Sequence, residues 1–157
     1  MTVDRVRLLA AIQREAAETN RLLAGLTEWE AGQPARDDGW TIKDVVGHLA
    51  DSHKGVLFWI GGSRLSAVRI AYDLDAMNRR RREARLGQPL RQVLADLETA
   101  RQAVMSFTQH SPEDALRRKV AVPFLGDVTA LHALSVVPRH EALHRAEIER
   151  FRQLSKS

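Results

Sequence analysis

The chain has 157 residues, 44% of them apolar and 28% charged, a balance that suits one globular core large enough to stand without staples. It contains no cysteine, which excludes a disulfide framework, a thiolate zinc site and a thiol nucleophile, so any metal has to be held by imidazole and carboxylate groups. A net charge of +4 and a pI near 10.1 favour anionic partners but fall short of the extreme that marks nucleic-acid binders.

Val6, Leu9, Ile12, Ala16, Leu23 and Leu26 recur at helical spacing behind Thr2, a candidate N-cap, and predict a first helix of about seven turns. Arg5, Arg7, Arg14 and Glu15 interrupt this segment, so no secretory h-region forms, and no apolar run elsewhere is long enough to span a membrane. A cytoplasmic protein without membrane association is expected. Residues 30–39, with Gly32, Pro34 and Gly39, read as a loop. Thr41 then opens a second helix, with Asp44 in the place of a capping-box glutamate and a stripe of Val45, Leu49, Ser52, Val56 and Trp59.

Gly61 and Gly62 break that helix, and residues 65–85 read as a polar, arginine-rich and partly helical crossover. Pro89, placed as an N1 residue, opens a third helix along Leu90, Val93, Leu97, Ala100, Val104 and Phe107. Residues 110–126 read as a connecting loop with one short turn from Pro112 to Arg117, and no strand is predicted anywhere. A last helix runs from Asp127 to about Leu154, with a kink or short break expected at Pro138. The whole of 1–157 is thus predicted to be a single all-α domain, a four-helix bundle.

The residues with metal chemistry lie on the second and last helices. His140 and His144 stand at i and i+4 on one face, shared with Val136, Val137, Ile148 and Phe151. Six histidines give such a spacing by chance about one time in five, so the pair alone is weak. His48 strengthens it, because it points inward on its own helix beside the small Ser52. Three neutral imidazoles from two helices would form a facial N₃ site with positions left open, the arrangement of catalytic zinc, and nickel or iron would also fit. Asp44, Asp51, Glu141 and Glu147 adjoin these histidines as candidate partners for their ring N–H groups. The bland alternative is that the three are separate core histidines; His53, His110 and His132 are assigned to it.

Two other motif readings compete. His140-Glu141-Ala142-Leu143-His144 matches the H-E-x-x-H of zincin proteases, with Glu141 as general base. Against it, only Glu147 or Glu149 remains as a downstream ligand, and there is no sheet edge to align a peptide. Arg79, Arg80, Arg81, Arg82 and Arg85 offer charge for nucleic-acid phosphates, but no aromatic residue is interleaved, and a solvated crossover face is the simpler account. If the crossover covers the bundle mouth, one of these arginines is placed to hold an anionic substrate by bidentate hydrogen bonds.

Residues 40–51, Trp-Thr-Ile-Lys-Asp-Val-Val-Gly-His-Leu-Ala-Asp, together with His140-Glu141-Ala142-Leu143-His144-Arg145-Ala146-Glu147-Ile148, resemble the DinB superfamily in order along nearly the whole chain. Tyr72, Asp73, Asp75 and Asn78 resemble the crossover of the branch that includes mycothiol-dependent maleylpyruvate isomerases. The resemblance implies an up-up-down-down bundle with a long crossover between the second and third helices, and a divalent metal, zinc first, on His48, His140 and His144. It also implies homodimerisation, a small-molecule substrate and, in some members, S-transferase or isomerase chemistry with a low-molecular-weight thiol. The expectation drawn here is a metal-dependent enzyme of that thiol-using kind. A non-catalytic, metal-stabilised binding or dimerisation module is the alternative, and an H-E-x-x-H metallohydrolase ranks third.

Overall fold

Four long helices carry the apolar stripes expected of them and pack into a four-helix bundle in the computed structural model, which describes residues 2–62 and 73–154. They are α1 (Val3–Leu23), α3 (Ile42–Gly61), α5 (Leu90–His110) and α7 (Ala130–Leu154). Shorter helices α2 (Glu28–Ala31), α4 (Leu74–Ala84) and α6 (Glu113–Arg117) lie in the connections. The start of the predicted crossover from Leu65, and Tyr72 within it, lie outside the described residues.

Two apolar clusters define the ends of the bundle. One joins Leu23 of α1, Val45 to Ala50 of α3, Val93 and Leu97 of α5, and Ile148 of α7. The other joins Leu8 and Ile12 of α1, Val56 and Ile60 of α3, Val104 of α5, and Ala130 to Val137 of α7. Hence α1 and α7 run one way and α3 and α5 the other. The helix directions are up-down-down-up, not the expected up-up-down-down. The physical reason is that the chain makes one long crossover, between α3 and α5, which leaves those two parallel, whereas up-up-down-down needs two.

Local chemistry explains the helix ends. Gly25 (φ +71°) turns the chain in a left-handed conformation, so α1 stops a turn short of Leu26. The inward face of α1 is Arg5, Leu8, Ile12, Glu15, Thr19 and Leu23, rotated from the predicted stripe, and Val6 is exposed. Arg5 and Glu15 are tolerated there because each has partners: Arg5 donates to the carbonyls of Gln109 (3.2 Å) and Ser111 (2.7 Å) at the end of α5, and Glu15 accepts from Arg145 (2.8 Å). Thr27 and Glu30 close a capping box that makes α2 helical across the start of the predicted loop. Pro89 is the N-cap of α5, one position before its predicted place.

A short antiparallel hairpin, β1 (Lys119–Val122) and β2 (Gly126–Thr129), pairs Lys119 with Thr129 and Val122 with Gly126. It corrects the expectation of no strand and delays α7 to Ala130. Its four-residue strands are too short for alternation to register in the sequence, yet Val120 and Val122 are buried against Ile60 and Leu134. Pro138 sits buried inside α7, which continues through it without a break. No helix among the described residues is long and apolar enough to cross a membrane.

Candidate metal centre

The loop before α3 fixes His48 by ordinary hydrogen bonding. Ala35 N–H donates to the Trp40 carbonyl (2.7 Å) and Ile42 N–H to that of Gln33 (3.0 Å), tying the loop into a small bridge. Thr41 caps α3: the Asp44 N–H donates to its hydroxyl oxygen (3.1 Å), and the Asp44 carboxylate accepts the Thr41 N–H (2.9 Å). Trp40 is thereby held edge-on to the His48 ring at 5.7 Å, with the guanidinium groups of Arg36 and Arg82 at 4.8 and 5.5 Å from its own ring centre.

On α7 the one-turn spacing brings His140 and His144 together, their ring centroids 4.4 Å apart. His48 joins them across the α3/α7 contact. Its Nε2 lies 3.2 Å from that of His140, which lies 3.0 Å from that of His144, and the candidate donor atoms of all three lie within 4.8 Å of one another. All three rings predicted from the sequence converge.

The donor set fits a divalent cation. His144 Nδ1 meets the Glu147 carboxylate at 2.6 Å, which assigns its N–H to that side and turns the bare Nε2 lone pair inward. His140 Nε2 then faces two neighbouring Nε2 atoms, and a neutral ring has a single N–H to offer. At most one of the two contacts is a complete hydrogen bond, a deficit that a central cation removes. An ion about 2.0–2.1 Å from each nitrogen sets neighbouring nitrogens roughly 3.0–3.4 Å apart, close to the separations of the His48–His140 and His140–His144 pairs. Burial, reinforced by the charges of His140 and His144, lowers the His48 pKa to about 3; burial and the charge of His144 lower that of His140 to about 4. Both rings are neutral lone-pair donors near pH 7.

Of the four carboxylates singled out in the sequence, Glu147 alone touches one of the three imidazoles through a hydrogen bond. Asp44 pairs with Arg82 (2.9 Å), and Asp51 binds Arg85 through two contacts of 3.0 and 2.8 Å. Arg85 comes this close because residue 47 is glycine: a Cβ there would stand 2.7 Å from Arg85 Cδ. Glu141, 1% exposed, accepts a short charge-assisted hydrogen bond from Arg101 and contacts His53 Nε2 at 3.2 Å. Burial raises its pKa, but His53 and Arg101 outweigh burial and hold it at about 2. His53 is therefore a core histidine with a carboxylate partner, and Glu141 is turned away from the role a zincin general base would need.

Arg101 was not foreseen. The signal was available, since Arg101 falls one turn after Leu97 on the buried face of α5, and a charge on an apolar stripe implies a buried partner. His110 and His132 are exposed and stand apart from the cluster.

A cavity of about 330 Å³ opens beside His48 and His140, within the range of small-molecule sites. Val56, Trp59, Met77 and Phe124 give it apolar walls, and Ser52, Asn78 and Arg81 its polar groups. A larger groove of about 530 Å³ between α1 and α7 touches none of the three clustered histidines.

The sequence profile of the DinB superfamily matches residues 11–148. The chain belongs to the DinB superfamily. This DinB superfamily member also resembles YfiT from Bacillus subtilis, described as "a probable metal-dependent hydrolase with an unusual four-helix bundle topology", with a TM-score of 0.72 and 19% identity over 99% of this chain and 90% of that one. That likeness speaks for the fold. No curated protein sequence matches the chain.

Proposed function

We propose that this DinB superfamily member is a metal-dependent enzyme in which His48, His140 and His144 hold a divalent ion, zinc first, with nickel or iron also suited to the donors. The proposed reaction joins a low-molecular-weight thiol to a small substrate in the adjoining cavity, as an S-transferase or an isomerase. The observation that carries this reading is the convergence of three imidazole nitrogens at the wall of a cavity, with no fourth His, Asp or Glu joining them among the described residues. Three ligands and an open side are the pattern of catalytic sites, whereas a purely structural ion is enclosed by four. That favours turnover over a metal-stabilised module. Dimeric assembly belongs to the same proposal.

A divalent ion held by neutral ligands keeps its full charge and supplies Lewis-acid chemistry that lowers the pKa of a thiol or a water. The protein's own residues favour the thiol. Attack by water gains from a positioned general base, but among the described residues the cavity wall carries no carboxylate, and Glu141 is committed to Arg101 and His53. A thiol near its lowered pKa gives its proton to solvent and needs no such base. Val56, Trp59 and Phe124 keep water from competing with it. Glu147 orients His144, and Glu147→Gln is expected to weaken divalent-metal binding about 10- to 100-fold, read by competition with a chromogenic chelator, while helix content stays unchanged.

The direct test is thiol consumption by zinc-loaded protein with mycothiol or glutathione and an aryl halide, where the sulfur bonds to carbon and halide leaves. A rate above buffer that vanishes with chelator is expected. Metal-dependent ester hydrolysis with no thiol consumption would overturn the thiol reading in favour of a hydrolase.

A further inference from the structure

The arginine run of α4 divides by partner. Arg82 lies 2.9 Å from Asp44, and Arg85 is held by Asp51 and Asp96. Arg79 and Arg80 are exposed. Arg81 differs from all of these: it is half-buried, lines the cavity beside His48 and His140, and has no carboxylate or hydrogen-bond partner among the described residues. Residues 63–72 contain no Asp or Glu that could neutralise it. Its two terminal nitrogens both lie 3.8 Å from the point a Cβ on Gly55 would occupy, so the guanidinium rests against α3 where no side chain covers it.

Among the described residues the cavity wall thus carries a guanidinium and no acidic residue, within otherwise mostly apolar walls. An uncompensated charge in such surroundings interacts strongly with an incoming anion. A guanidinium offers a fork of parallel N–H donors that matches a planar carboxylate. Gly55 stands seven residues beyond His48 on α3, roughly 10 Å along the helix.

We propose that Arg81 is the anchor for the carboxylate of a small, partly apolar substrate that reaches through the cavity from this residue to the three-histidine cluster. The reactive end of that substrate rests on the reading of the cluster as the metal centre; the anchoring end does not.

The test is isothermal titration of metal-loaded protein with hexanoate and with hexanamide, which share an apolar body and differ in charge. Wild type is expected to bind hexanoate at least about tenfold more tightly, and Arg81→Met to bring the two within about twofold. Arg81→Lys keeps the charge without the fork and is expected to recover part of the preference. Because Arg81 has no carboxylate or hydrogen-bond partner among the described residues, the thermal midpoint of Arg81→Met should match wild type. A preference that survives in Arg81→Met, through carboxylate binding at the histidine cluster or elsewhere, overturns the proposal, as does no preference in wild type. Failure of the metal reading looks different: His144→Ala would keep its metal while the hexanoate preference still depended on Arg81.

Discussion

Arg101→Met is expected to lower the free energy of unfolding by about 3–5 kcal/mol, the largest loss for any single polar side chain in this bundle. Arg101 and Glu141 are 2% and 1% exposed at the side chain, and Arg101 also donates to Asn20 Oδ1 at 2.7 Å, so one group ties α5 to α7 and α1. Removing the guanidinium leaves an ionised carboxylate in the core with only His53 to answer it. Urea unfolding followed by circular dichroism reads the change, with a fall in midpoint at little change in slope. The double variant Arg101→Met with Glu141→Leu should recover much of the loss, because the desolvation cost of both charges disappears together. A single variant within about 1 kcal/mol of wild type would contradict this account of the core.

Glu141 also separates two accounts of the H-E-x-x-H match. As a zincin base, Glu141→Gln would abolish hydrolysis without harming the fold. In the network seen here the substitution acts on stability, through the contacts of Glu141 with Arg101 and His53.

The second large effect is on metal stoichiometry. His48→Ala, His140→Ala and His144→Ala are each expected to reduce bound divalent metal from about one equivalent to less than about a tenth after gel filtration, since two remaining imidazoles form no facial set. His132→Ala, an exposed histidine on the same helix, should leave the stoichiometry unchanged. Metal should raise the thermal midpoint of wild type and of His132→Ala alone, because binding to the folded state adds stability that the three cluster variants cannot gain. Retention of a full, tightly bound equivalent by His48→Ala would remove α3 from the centre.

Much of the fold was legible because its determinants are local. The seam from Leu90 to Val104 needs only 3.6-residue periodicity, and the Thr41/Asp44 cap needs only a hydroxyl and a carboxylate three residues apart. The i, i+4 pair of His140 and His144 is local as well. The β1/β2 hairpin was not legible, because four-residue strands leave no pattern and only the bundle end they cover makes them worth forming. The face of α1 was misjudged for a related reason. Arg5 and Glu15 look like surface residues until Ser111 and Arg145 are known to stand opposite them.

The amino-acid order by itself determined the helical class, the Thr41/Asp44 cap and the His140/His144 pair, since each depends on spacings within a few turns of one helix, and it offered His48 as a third candidate from its place on the inward face of another. Tertiary structure alone decided which carboxylate serves which group. Glu141 and Glu147 sit on the same helix, six residues apart, yet one is buried on Arg101 and the other orients His144. It likewise decided that Arg81, among five arginines of similar sequence context, faces the cavity with no counter-ion among the described residues. Those outcomes depend on what neighbouring helices bring across the core, and the single crossover that makes α3 and α5 parallel sets which residues those are.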